Sequence, residues 1–164
     1  MMDQEYQSVS LDWGNEDESI QSILFKMGDE FYGLPIDSVK EIIKPLPITR
    51  FPKSPPFVEG IINLRGTILP IVNLRKMFGL PPMPLTEESR FIDIHLVGLK
   101  IGIVVDGVSE VVRISNRQIE VAPPIICGVE GKYLKGIARM ENRLVLLLDL
   151  EEIFSQWNVS AVNT

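Results

Sequence analysis

The chain is predicted to be all-β: two small five-stranded barrels, made by an internal duplication and sharing one hydrophobic core, with short helical turns and a C-terminal helix. Three observations carry this. Short runs rich in Val, Ile and Leu are interrupted every several residues by Gly, Asp, Asn or Pro, which is the spacing of strands and tight turns. The stretch GIINLRGTILPIVNLRKMF (60–78) returns 76 positions later as GIARMENRLVLLLDLEEIF (136–154). Runs such as Ile101–Val105 and Leu144–Leu148 are apolar at consecutive positions. A sheet with one wet face would alternate, so these strands are expected to be buried on both faces, the second by the other half of the chain.

The duplication reaches further upstream. Gly33–Ile43 matches Gly102–Val112 at an offset of 69, with Gly, Asp, Val and Glu coinciding. In the later block, Leu74 and Phe78 match Leu150 and Phe154, and Asp149 stands where Asn73 stands, each before a short helical run. The two offsets differ by seven, so the second half carries a longer connector. Two unrelated hairpins of similar composition would not repeat the order of the blocks.

Taken in order, Ile23–Met27 and Glu30–Pro35 form a hairpin about Gly28-Asp29. Ile36–Val39 makes one helical turn and Lys40–Ile43 a third strand. Prolines at 45, 47, 52, 55 and 56 then exclude regular structure up to Phe57-Val58. Strands four and five form a hairpin around Arg65-Gly66, where glycine takes positive φ freely. Pro70 should put strand five at an edge or on a bulge, and Asn73 should cap a helical turn whose buried side is Leu74, Met77 and Phe78. After the Pro-rich stretch 79–90, strands are expected at Phe91–Val97, Lys100–Val105 and Ser109–Ile114, with Ser115-Asn116 capping a short helix through Ile119. The long connector spans 120–132. Strands at Tyr133–Met140 and Arg143–Asp149, turning at Glu141-Asn142, lead to a helix from Leu150 to about Trp157.

Charge is uneven. Of 22 acidic residues, Asp3, Glu5, Asp12, Glu16, Asp17 and Glu18 lie in 1–19, which holds no Lys or Arg. The remainder balances the 16 basic residues, so the body lacks the positive field that nucleic-acid binding requires. Residues 1–19 read as a disordered acidic tail and 158–164 as a second tail. No apolar run is long enough to cross a bilayer and no secretion signal begins the chain, so a cytoplasmic protein is expected.

No catalytic constellation is visible. His95 is the chain's one histidine and Cys127 its one cysteine, so no metal-ligand cluster or internal disulfide forms, and neither has a helper with nucleophile spacing. His95 reads as face-out or locally satisfied, Cys127 as a small apolar filler, and Asp37 and Asp106 as turn formers. Surfaces remain. Arg65 at a hairpin tip reads either as a solvated turn residue or as a planar fork for a partner's carboxylate or carbonyl, and Val39, Ile42 and Ile43 lie between core and exposed edge.

The segments GDEFYGLPIDSVKEI, FVEGIINLRGTILPIVNLRKMFG, GIVVDGVSEVVRIS and YLKGIARMENRLVLLLDLEEIF, in this order, resemble the CheW family over about 20–157. Asn73 departs from the Asp frequent at its position. The resemblance implies two intertwined SH3-like five-stranded barrels, about 20–80 and 91–157, joined by the linker at about 79–90. It implies a non-catalytic, cofactor-free adaptor, without nucleic-acid binding or membrane insertion. Such a protein couples the cytoplasmic tip of methyl-accepting chemoreceptors to the regulatory domain of a CheA-type histidine kinase, at membrane-associated receptor arrays. Carried over by motif position, the kinase-facing apolar surface maps to Leu24, Ile36, Val39 and Ile42, and the receptor-facing residues to Glu41, Arg65 and Val111. An adaptor for pilus-driven motility or another sibling pathway is the nearest alternative, and a small-ligand-binding β-barrel a more distant one.

Overall fold

A computed structural model of the chain describes residues 18–155. Its strands are β1 (Ser19–Met27), β2 (Glu30–Pro35), β3 (Val39–Ile43), β4 (Val58–Leu64), β5 (Thr67–Val72), β6 (Arg90–Leu96), β7 (Leu99–Val105) and β8 (Gly107–Ser115). They continue with the two-residue strands β9 (Ile119–Glu120), β10 (Ile125–Ile126) and β11 (Val129–Glu130), then β12 (Leu134–Met140) and β13 (Arg143–Leu148). The helices are α1 (Leu74–Phe78) and α2 (Leu150–Ile153). The chain is all-β as expected, with two principal sheets.

One sheet has the order β3-β6-β7-β5-β4 and the other β8-β1-β2-β13-β12-β9. Under the duplication, β3, β4 and β5 correspond to β8, β12 and β13, and the hairpin β6–β7 to β1–β2. Each half therefore lends its first hairpin to the sheet built by the other half, through the parallel pairs β2–β13 and β5–β7. The sheets are intertwined, and the segment 79–90 marks no boundary between them. Both also curl until their ends meet. Thr49, just past β3, exchanges two backbone hydrogen bonds with Ile61 of β4, at 2.9 and 2.8 Å. In the other sheet β8 runs through a 3₁₀ turn into β9, which pairs with β12.

Interior residues sort by face. Val145 and Leu147 of β13 pack with Leu24, Ile114 and Ala138 inside their own sheet, while Leu146 and Leu148 join the main core. That main core contains Phe25, Tyr32 and Leu34 from the first half and Ile92, Ile94, Ile101 and Ile103 from the second. A third cluster, Ile62, Leu69, Ile71 and Phe91, fills the five-stranded sheet. Burial on both faces of β13, expected from its consecutive apolar residues, follows from this arrangement.

The duplication extends to irregularities. The register of β4–β5 shifts between Val58 and Gly60, and that of β12–β13 between Leu134 and Gly136. At both glycines the neighbouring chain runs too close for a side chain. A Cβ on Gly60 would strike the Thr49 carbonyl, and one on Gly136 would lie 2.7 Å from the Glu120 carbonyl oxygen. Asn73 and Asp149 cap α1 and α2, accepting from the Lys76 and Glu152 amides at 3.2 and 3.0 Å. Ser115 and Gln118 form a capping box at the 3₁₀ turn after β8.

Several expectations need correction. β1 starts at Ser19, not Ile23, because Ser19–Ser22 pair with Val112–Ser115, so the end of the supposed tail is strand. The rest of that tail, residues 1–17, and the segment 158–164 lie outside the described residues. Helix α2 gives way to a turn at 154–155, and Trp157 also lies outside them. β5 is not an edge strand and has no bulge at Pro70; its pairing with β7 begins only at Ile71, so proline interrupts no ladder on that side. Cys127 is no filler: it is exposed at the tip of β10–β11 with φ 52°. Burial at the sulfur and the Glu30 carboxylate beside it push the thiol up to about 11, leaving little thiolate near neutrality.

A candidate docking face at the edge of the five-stranded sheet

Strand β3 pairs only with β6 in its sheet and carries a one-residue register shift between Val39 and Glu41. The extra residue leaves Lys40 exposed and turns Glu41 toward the β4–β5 hairpin. At the tip of that hairpin Arg65 and Gly66 both take positive φ, 52° and 87°, and the Asn63 side chain accepts the Gly66 amide at 2.7 Å. The left-handed conformation thus falls on the arginine as well as the glycine. Glu141, its counterpart, matches it with φ 51°.

This geometry joins two of the residues singled out from sequence. Arg65 donates through Nη2 to Glu41 Oε2 in an ion pair, with the arginine side chain 68 % exposed and the glutamate 27 %. The guanidinium therefore keeps donors free for a partner while its position is fixed. Ile42, the next residue on β3, is exposed. It also lines an open groove of about 580 Å³ whose other walls include Phe31, Met83 and Val108. Arg75 fixes one side of this region, donating to Asp106 Oδ2 at 2.6 Å and to the Pro81 carbonyl at 2.8 Å. Asp106 also accepts the Gly28 amide at 2.6 Å, so the segment 79–90 and two hairpin ends are tied together. Asp106, expected only to form a turn, is the hub of that tie.

The remaining site residues separate. Leu24 is fully buried inside the other sheet and presents no surface. Its strand β1 has neighbours on both sides, β8 and β2, which the sequence could not reveal. Ile36 is half-buried in the 3₁₀ turn, and Val39 is half-buried against the main core, as is its counterpart Val108. Val111 is exposed, but on β8 of the six-stranded sheet, where it occupies the place that Ile42 holds on β3.

A second ion pair went unread in the sequence. Arg143 Nη2 donates to Glu110 Oε2, and its guanidinium lies 4.5 Å from the Phe31 ring centroid. Glu110 is the repeat counterpart of Glu41, so half of the signal was present. Arg143 escaped notice because its counterpart is Thr67, across the hairpin from Arg65.

Beneath the first ion pair lies a buried carboxylate. Asp93 of β6 stands opposite Glu41 and is almost wholly buried, with His95 Nε2 3.1 Å from its Oδ1. Burial, and less strongly the Glu41 charge, push the Asp93 carboxyl above the usual range, while His95 pulls it down. His95 is thus locally partnered, in line with its sequence reading. Among the described residues, no group of three or more His, Cys, Asp or Glu could hold a metal ion.

Comparison with known proteins shows the family. Residues 21–157 match the CheW-like domain family. The chemotaxis protein CheW of Treponema pallidum is 34% identical over 143 residues, covering 85% of this chain and 84% of that one. Its counterpart in Helicobacter pylori is 33% identical over 142 residues, covering 87% and 86%. In structure, the scaffolding protein TtCheW from Thermoanaerobacter tengcongensis superposes with a TM-score of 0.76 at 36% identity, covering 82% of this chain and 87% of that one.

Proposed function

The chain belongs to the CheW-like domain family, and from that premise we propose that the Glu41–Arg65 pair is the contact it offers to a chemoreceptor. The protein is a chemotaxis adaptor, coupling receptors to a CheA-type kinase. The observation that supports the receptor contact is the exposed, pre-positioned guanidinium. Glu41 fixes it in place, so a receptor carboxylate or carbonyl meets a fork already oriented, and less side-chain entropy is lost on docking. Val111, exposed and apolar, joins this reading as a further receptor contact in addition to the charged pair.

The kinase surface is read as Ile42 with the half-buried Ile36 and Val39, where β3 offers an apolar strip to the kinase's regulatory domain. Leu24, buried in the other sheet, is left out of this surface. Joining both partners through one rigid body gives a route for a shift at the receptor tip to bias the kinase. The protein is assigned a place in the cytoplasm at membrane-associated arrays, without catalysis of its own. Among the described residues no helix is long and apolar enough to cross a membrane.

Titration of a receptor-tip fragment against Arg65→Ala tests the assignment. Weaker binding by a folded variant supports it, and unchanged affinity removes Arg65 from the receptor face.

A further inference from the structure

We propose that Asp93 and His95 form a protonation switch beneath the Glu41–Arg65 pair, setting the negative charge beside Arg65 and so how readily it receives a partner's acidic group. Its consequence for binding rests on the receptor reading above.

The inference begins with an asymmetry between the sheets. The position opposite Glu110 is Leu24, fully buried among apolar neighbours; the corresponding position opposite Glu41 is Asp93, equally enclosed. A carboxylate thus replaces a core leucine in one copy of the repeat only. The His95 ring nitrogen, 3.1 Å from Asp93 Oδ1, is the cation source in contact with it. The charged groups facing this pair are Lys40 and Glu41 on β3, Lys100 opposite His95 on β7, and Arg65 through Glu41. Gly102, opposite Asp93 on β7, contributes none.

Two adjacent carboxylates, one of them buried, do not hold both charges without a counter-charge or a proton. Imidazoles change charge between about pH 5 and 8. On acidification the Asp93–His95 pair takes up one proton, on the ring or on the carboxyl. Either placement reduces the net charge of Glu41, Asp93 and His95 from two negative to one. The negative field around Arg65 weakens while Glu41 still orients it, and repulsion of an arriving carboxylate falls. Mild acid therefore favours tighter binding of an acidic partner surface.

Because His95 is the chain's only histidine, its ring resonances report the switch without overlap. Its NMR titration in the full chain is compared with Glu41→Gln and Arg65→Ala, surface changes that leave the core intact. If the switch is coupled to the pair, removing either neighbouring charge displaces the titration, in opposite directions for the two variants. Midpoints unmoved in both variants overturn the proposal. In parallel, a receptor-tip fragment should bind several-fold tighter at pH 6 than at pH 8, and Asp93→Leu, the residue of the other repeat, should abolish that ratio. A ratio that persists in folded Asp93→Leu, or is absent from the wild type, also overturns it. Shifted midpoints with a fragment that binds at neither pH support the switch and count against the receptor reading alone.

Discussion

Glu41 and Glu110 occupy the same place in two different sheets, and each is clasped by an arginine from the neighbouring hairpin, though the two arginines are not repeat counterparts. Arg65 sits at the hairpin tip and is mostly solvated. Arg143 stands two positions past Arg65's counterpart, Glu141, and lies over the Phe31 ring with 27 % of its side chain exposed. The duplicated fold has kept the carboxylate and re-sourced the cation, which leaves one pair open to a partner and the other packed on the body.

This difference predicts unequal stability effects. Arg65→Ala should change unfolding free energy by less than about 0.5 kcal/mol, as is usual for an exposed pair. Arg143→Ala loses a less exposed pair and a cation–π contact, and should cost about 1–2 kcal/mol. Denaturant melts of the two variants check the order, and equal losses would contradict it.

The bulge glycines should be intolerant in both repeats. Gly60→Ala and Gly136→Ala each drive a methyl group into the neighbouring backbone, at Thr49 and Glu120 respectively. Each should cost on the order of 2–4 kcal/mol, well above a typical surface change. Gly66→Ala, where a Cβ would meet nothing within 4 Å, serves as control, with only the left-handed φ to penalise it. A melt showing Gly60→Ala as stable as the control would remove the close approach as the reason for this glycine.

Much of the fold was legible because the repeat is written in residues with steric or capping duties. Gly60/Gly136 and Asn73/Asp149 each mark a bulge or a helix start, and the apolar runs of β7 and β13 announced two-sided burial. The exchange of hairpins between halves was not legible from the residues, since pairing β2 with β13 or β5 with β7 leaves no local pattern. At the candidate docking face, Glu41 and Arg65 could be named but not joined, because their contact depends on the sheet curling until its ends meet. Leu24 was put on the kinase-facing surface by motif position alone, and its full burial follows from which side of β1 the rest of its sheet covers.

Asp93 should make stability depend on pH. Its carboxyl is raised in the folded state above the unfolded value. The native state therefore binds the proton more tightly, and this stabilisation is full below the unfolded carboxyl range and lost as pH rises through the folded midpoint. Asp93→Asn removes that loss, so its melting temperature relative to wild type should be highest near pH 7–8 and the gain should shrink toward about pH 3–4. A constant difference across this range would mean that the Asp93 carboxyl binds its proton equally well folded and unfolded, against the effect of its burial.

Ile42 and Val39 divide an apolar surface from the core beneath it. Val39 packs on the main core as Val108 does, so Val39→Asp and Val108→Asp should both lower stability, by about 1–3 kcal/mol. Ile42 is exposed, and Ile42→Asp should melt like wild type while losing affinity for the kinase's regulatory domain. Unimpaired kinase binding by folded Ile42→Asp would place the kinase surface off β3.

The central claim is that one rigid body holds receptor and kinase together through separate contacts. The direct measurement is sedimentation of the purified full chain with a chemoreceptor-tip fragment and a CheA-type regulatory domain, singly and together, for wild type, Arg65→Ala and Ile42→Asp. A ternary complex is predicted for wild type, loss of the receptor fragment alone for Arg65→Ala, and loss of the kinase domain alone for Ile42→Asp. Mutually exclusive binding of the two partners by the wild-type chain, or no binding of either, would contradict the account.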